Sequence, residues 1–203
     1  MNRAPFVILG VILTIALSLA GLVLVPNWQF QDNKPVVNKL EATQYPQPYT
    51  GSVAHGRDVY VEQGCLYCHT QQVRPKGYGG DIRRGWGNRR TVARDYMYEF
   101  PILLGTNRTG PDLANIGARQ PSRDWHSLHL FNPQITSPGS IMPRFDYLFR
   151  VVKPGEPLPN EAIALPRAFQ TEGTHVVPTE RGVQLIDYLS AQNRSFPLPE
   201  AKQ

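Results

Sequence analysis

Cys65, Cys68 and His69 stand in the run Cys65-Leu66-Tyr67-Cys68-His69, a spacing that restricts the available chemistry sharply. Two thiols three positions apart can each add across one vinyl group of a single porphyrin. The adjoining histidine then meets the iron from the same side, which is the attachment pattern of c-type haem. These are the only cysteines among 203 residues, so a disulfide framework has no members. A dithiol redox pair does not need the histidine, and a cysteine-rich zinc site wants a second cysteine pair that is missing. The expected cofactor is therefore one covalently bound haem c, with Cys65 and Cys68 as its attachment points.

Haem iron has two axial positions. His69 is the expected proximal ligand, and its second ring nitrogen needs an acceptor that fixes the tautomer and raises its basicity. For the sixth position the chain offers Met1, Met97 and Met142. Met1 precedes an apolar run and is set aside. Met97 lies among aromatics in a segment that reads as helical, where a core role is expected. Met142 lies in Gly139-Ser140-Ile141-Met142-Pro143, where the proline can hold the sulfur rigidly. His126 and His129, on one helical face behind Trp125, compete with it, and His55 and His175 remain. Met142 is the favoured ligand because His/Met pairing is a usual cytochrome c arrangement; bis-histidine ligation and an open position stay as alternatives. A thioether raises the potential, and an iron filled on both sides cannot bind oxygen. Electron relay follows, with no catalytic residue at this haem.

The elements that must position these residues begin with Pro5 to Val25, a charge-free run rich in Leu, Ile, Val and Ala. As a helix it spans roughly 31 Å, the thickness of a bilayer's hydrocarbon. Arg3 precedes it, and Asn27, Trp28 and Gln29 follow as interfacial residues. Ser18-Leu19-Ala20 resembles a signal-peptide cleavage site, but the apolar run continues beyond it, so an uncleaved anchor is expected. Haem c is attached after export, which would place the following domain on the periplasmic side of a bacterial inner membrane, single-pass. Residues 1–26 are read as the anchor, 27–51 as a polar, proline-dotted linker and 52–203 as the haem domain. Within it, Ser52 can cap a helix over Val53 to Gln63 closed by Gly64, with Val53, Gly56 and Tyr60 on one face. Gly56 would let another helix cross closely. Thr179 and Glu180 start a last helix whose stripe is Leu185, Tyr188 and Leu189, ending near Ala191. Long irregular stretches, about 70–108 and 145–179, lie between. In the first, arginines interleave with Tyr78, Trp86, Tyr96, Tyr98 and Phe100, a composition that favours an interface over a solvated loop. Nineteen prolines and seventeen glycines agree with so many turns. The net charge of +5 comes without a nucleic-acid-binding motif, so nucleic acid is excluded as a partner, while the lipid bilayer is expected as one.

Two resemblances extend this reading. Thr109-Gly110-Pro111-Asp112-Leu113 looks like the stretch of small cytochromes c whose proline carbonyl receives the proximal histidine, which nominates Pro111. In those proteins the first and last helices cross beside the haem, which implies the same for the helices near 53–63 and 180–191. More specifically, Cys65 to His69 continued by Thr70-Gln71-Gln72-Val73-Arg74-Pro75 is similar to the haem segment of the mono-haem subunit of cbb3-type cytochrome c oxidases. Arg108 to Leu113, Trp125-His126, Leu130-Phe131-Asn132-Pro133 and Ser140-Ile141-Met142-Pro143 continue the likeness. Arg84-Gly85-Trp86-Gly87 departs from the family's usual Arg-Tyr-Gly run, and Val151 to Thr179 has no placed counterpart. The resemblance implies a mainly α fold: an N-terminal transmembrane helix followed by a cytochrome c-like haem domain with long irregular insertions. It implies an electron-transfer subunit, not an enzyme by itself. Electrons would come from a di-haem or other cytochrome c donor and go to the catalytic haem-copper oxidase subunit that reduces oxygen to water. The competing readings are the cytochrome c subunit of a nitric oxide reductase, a free-standing membrane-anchored electron carrier and a haem gas sensor.

Overall fold

The computed structural model describes residues 3–38, 43–153, 155–171 and 173–201, so Met1 lies outside the described residues. The chain divides into two units, Met1–Pro46 and Gln47–Gln203. The division falls inside the stretch read as a linker.

The first unit is dominated by helix α1, Ala4–Phe30, 27 residues with a mean hydropathy of 2.8 in its most apolar window. It is long and apolar enough to cross a bilayer, and its side chains face outward around the whole circumference. The helix outlasts the expected end at residue 26. Pro26 lacks an N–H and its ring would crowd the carbonyl four residues back, and just before it the helix widens to π geometry over Ala20–Leu24. The helix thereby passes the proline and ends at Phe30. Two short strands, β1 (Val36–Asn38) and β2 (Thr43–Tyr45), then pair antiparallel where an extended linker was expected.

The second unit is built on two helices, α2 (Gly51–Glu62) and α6 (Glu180–Ala191). α2 begins at Gly51 after Thr50, and Ser52 does not cap it; its hydroxyl donates to the Asp187 carboxylate on α6. The α6 start is as expected, with Thr179 Oγ1 accepting from the Gly182 N–H at 3.3 Å. The two helices touch at Gly56, where an added Cβ would fall 1.8 Å from Gln184 O and 2.8 Å from Tyr188 Cβ. Tyr60, Leu185, Ile186 and Tyr188 fill the core around this crossing. Between α2 and α6 come α3 (Ile116–Arg119), α4 (Arg123–Phe131) and α5 (Pro133–Thr136). Gly117 meets α6 as closely as Gly56 does, its Cβ position lying 2.0 Å from Ser190 O.

The stretch 145–179 is less irregular than expected. Phe149–Val152 (β3) pairs antiparallel with His175–Pro178 (β4), Phe149 opposite Pro178 and Val152 opposite His175. Phe149, Val152, Val176 and Val177 are buried, so the hairpin is part of the core wall. The stretch 70–108 has only a 3₁₀ turn, Ala93–Tyr96, among its described residues. Its order comes from buried carboxylates. Asp81 receives Arg74 at 2.9 Å and Arg108 at 2.6 Å, and Asp95 receives Arg89 at 2.7 Å. Glu99 receives Arg194, next to α6, at 2.6 Å. Three of the arginines expected at an interface are thus spent internally, and Trp86 and Tyr96 are buried.

Candidate haem site

α2 ends at Gly64 in the left-handed region, φ +69°, where glycine carries no Cβ penalty. The chain turns there into a 3₁₀ turn, Cys65–Tyr67, closed by Cys68 N–H to Cys65 O at 3.2 Å and His69 N–H to the same oxygen at 2.9 Å. Cys65 is half-buried against the core and Cys68 is exposed. Burial pushes the Cys65 thiol up to about 12.

His69 is fixed from two sides. Its Nδ1 lies 2.7 Å from Pro111 O; a carbonyl can only accept, so Nδ1 carries the proton and Nε2 keeps its lone pair. The ring lies against Gly110, where a Cβ would stand 2.2 Å from His69 Cε1. Gly110 in turn donates its N–H to Cys68 O at 2.9 Å. Burial lowers the His69 pKa, and the Pro111 carbonyl acts in the opposite sense.

A cavity of about 510 Å³ opens beside this turn, lined by Cys68, His69, Pro111, Arg119, Trp125 and Met142 among others. That volume suits a medium-sized organic ligand. Met142 reaches it from a loop whose turn is closed by Ser140 N–H to Ser137 O at 3.0 Å, and its own N–H donates to Ser140 Oγ at 3.2 Å. Met97 does not line it, nor do His55 and His175, which are exposed. His126 is buried with Nε2 donating to Gln120 O at 2.9 Å. His129 does line the cavity. Its ring stacks on Trp125, centroids 4.6 Å apart, and Nδ1 lies 2.6 Å from Thr136 Oγ1. That hydroxyl is itself directed at Pro133 O, so His129 Nδ1 donates and Nε2 retains its lone pair. Burial, then the neighbouring His69 and His126, press its pKa down to about 4.

Three contributors escaped sequence reasoning as site residues. Asp112 is fully buried and ties the histidine turn together: Oδ2 accepts from Thr70 Oγ1 at 2.5 Å and Gln72 N–H at 2.8 Å, and Oδ1 from Ala114 N–H at 2.8 Å. Arg108 bridges this carboxylate to the next one, donating to Thr70 Oγ1 at 2.9 Å, Gln72 O at 2.6 Å and Asp81 Oδ1 at 2.6 Å. Asp81 is burdened by burial, but Arg74 and Arg108 outweigh that and hold its carboxyl down to about 2. Arg119 lines the cavity, gives one N–H to Asp112 O and makes no ion pair among the described residues. Asp112 carried a signal in Thr109-Gly110-Pro111-Asp112-Leu113, whereas nothing local marked Arg119.

This donor set fits a haem. The cavity wall combines apolar surface from Ile116, Trp125, Pro111 and Met142 with a histidine of defined tautomer, a cysteine and an arginine that makes no ion pair among the described residues and is suited to a carboxylate. Gly110 leaves the histidine ring the room that any side chain would fill.

Residues 1–170 match the family model described as cytochrome c oxidase, mono-haem subunit/FixO. The match runs through residues 151–170, part of the stretch for which the motifs had no counterpart, and stops before α6. No curated protein matches the chain.

Proposed function

The chain belongs to the FixO family of mono-haem cytochrome c oxidase subunits, and on that premise we propose that it relays single electrons from a c-type cytochrome donor to the catalytic haem-copper subunit of a cbb3-type oxidase. A bound haem c supplies a one-electron iron couple whose potential its axial ligands and surroundings set. Cys65 and Cys68 would hold that group by thioether bonds. His69 would offer Nε2 to the iron, because Pro111 O occupies Nδ1. Met142, which lines the same cavity, would be the second donor to the iron, and Arg119 would pair with a carboxylate of the group. Helix α1 anchors the chain in the inner membrane, with the folded unit on the periplasmic side.

The observation that carries this reading is the convergence of His69, with its tautomer fixed, and Met142 on one cavity. His129 walls the same cavity and keeps its own lone pair, so it is the rival sixth ligand. Replacing each in turn separates them. Met142→Ala should leave haem attached, lower the midpoint potential and slow oxygen consumption by the complex, while His129→Ala retains the absorption spectrum of the parent. An unchanged potential and spectrum in Met142→Ala would refute the assignment.

A further inference from the structure

Asp112 does more than close a turn, because it buries a charge beside the proximal histidine. Its side chain is 0% exposed. Oδ2 accepts from Thr70 Oγ1 at 2.5 Å and from Gln72 N–H at 2.8 Å, and Oδ1 accepts from Ala114 N–H at 2.8 Å. The Thr70 hydroxyl itself receives Arg108 Nε at 2.9 Å, so its own hydrogen is directed at Asp112. All three partners are donors, the surroundings of an ionised carboxylate. The residue also brackets His69 along the chain: Thr70 follows the histidine, and Pro111, whose carbonyl holds Nδ1 at 2.7 Å, precedes Asp112.

The charge is only partly cancelled. Arg108 Nη2 stands 3.7 Å from Oδ2, outside hydrogen-bond range, and Arg108 gives its short contacts to Asp81 Oδ1 and Gln72 O, both at 2.6 Å. Asp81 has Arg74 as a second partner at 2.9 Å, so two buried carboxylates divide two arginines unequally. Arg119 reaches the backbone oxygen of Asp112 rather than its carboxylate. The field extends to the histidine: burial lowers the His69 pKa, the Pro111 carbonyl and then the Asp112 charge raise it, and Arg119 lowers it.

An iron held by His69 would carry one more positive charge oxidised than reduced. A buried anion nearby favours the oxidised form and so lowers the reduction potential. At an effective dielectric of about 20, a unit charge acting over about 10 Å changes such an equilibrium about tenfold. An exposed carboxylate would be screened out of this role by water and salt, whereas this one is closed off from both.

We propose that Asp112 is a potential-setting residue of the haem site: its buried carboxylate holds the reduction potential of the bound group down, and Arg108 offsets part of that effect. The proposal rests on the haem reading above and involves the transfer of one electron with no proton taken up or released. Redox titration of the full, haem-loaded chain in detergent tests it. Asp112→Asn should shift the equilibrium about tenfold toward the reduced form, which for one electron is about 59 mV upward. Arg108→Met, which uncovers the same carboxylate, should shift it the opposite way. Thr70→Val removes the 2.5 Å hydrogen bond without changing any charge, and should move the potential less than about twofold in the equilibrium. Opposite signs in the two charge variants are what an electrostatic role requires, since damage to the turn common to both would move them in one direction. A potential in Asp112→Asn at or below the parent, one in Arg108→Met at or above it, or a Thr70→Val shift equal to that of Asp112→Asn would overturn the assignment. Should Asp112→Asn fail to fold, Arg108→Met decides by the same criterion. A parent chain that carries no covalent haem would overturn the haem reading itself, and the assignment with it.

Discussion

Replacing Gly110 with alanine tests the packing on which the histidine geometry depends. The new Cβ would stand 2.2 Å from His69 Cε1, 2.7 Å from Nδ1 and 2.9 Å from Nε2, against ordinary contact from 3.4 Å upward, a shortfall of about 1.2 Å at the closest atom. The backbone cannot simply withdraw, because Gly110 N–H is bonded to Cys68 O at 2.9 Å and Pro111 follows directly. The ring must move instead, and a shift of that size takes Nδ1 out of range of Pro111 O. Overpacking costs about 1–3 kcal/mol and the lost hydrogen bond about 0.5–1.5 kcal/mol, so the expected destabilisation is about 1.5–4.5 kcal/mol. Denaturant unfolding of the holoprotein reads that number. The absorption and paramagnetic resonance spectra report the ligand field separately, and both should change while the haem stays covalently attached. Gly80→Ala is the control, since its Cβ would meet only the mobile ends of Arg83 and Arg84 at 3.3 and 3.4 Å, and it should cost less than about 0.5 kcal/mol. A Gly110→Ala protein with the stability and spectra of the parent would show that the ring does not lie on this glycine.

Two further outcomes concern the frame. Gly56→Ala puts a methyl 1.8 Å from Gln184 O, a backbone atom of α6, and should separate the α2–α6 crossing at about 3 kcal/mol or more, read by thermal unfolding; a loss under about 1 kcal/mol would contradict so close an approach. Asp81 has its carboxyl held down to about 2, below the ordinary carboxylate value near 4. A depressed carboxylate contributes stability that is fully present above its unfolded value and is lost as pH falls through the folded one. Unfolding measured from pH 5 down to pH 2 should show that loss in the parent, and Asp81→Asn should be less stable at pH 5 with a flatter acid limb; parallel limbs would exclude Asp81 as a source of it.

What could be read directly from the sequence was local. The thiol–histidine spacing, the Gly64 turn, the Thr179 cap and the open face at Gly56 each depend on a few neighbouring residues, and the structure has the corresponding elements in place. The start of α2 was misread because Ser52 has a better partner across the helix crossing, the Asp187 carboxylate, than its own helix offers. β3 and β4 escaped for a related reason. Each is four residues long, and the pairing that stabilises them spans a proline-bearing loop, so no period accumulates in either segment. The arginines of 70–108 were visible, but their destination was not. Arg74 and Arg89 take carboxylates seven and six residues away, but Arg108 reaches back 27 residues to Asp81 and Arg194 reaches back 95 to Glu99, and no local pattern shows that these side chains are drawn inward into an internal clamp.

The clamp bears on the difference between a haem-binding motif and an electron relay. Cys65 to His69 would attach a haem in any chain. The four residues after Thr70 connect that turn to everything rigid around it. Gln71 is fully buried, exchanges hydrogen bonds with Tyr188 of α6 and accepts from Tyr96 through its carbonyl. Gln72 gives its N–H to Asp112 and its carbonyl to Arg108. Val73 O accepts from Thr91 N–H, and Arg74 closes on Asp81 through backbone and side chain. Asp112 then returns the tension to Thr70 and to the backbone beside Pro111, the acceptor for His69. A group that changes charge by one unit and must return unaltered needs donors that do not follow the charge. Here the histidine is bound to a carbonyl whose neighbour Asp112 is held by several buried hydrogen bonds, so the acceptor that orients the ring is itself fixed. On the proposed relay reading, an acceptor fixed in this way would keep the histidine in one orientation in both oxidation states, which an attachment motif alone does not confer.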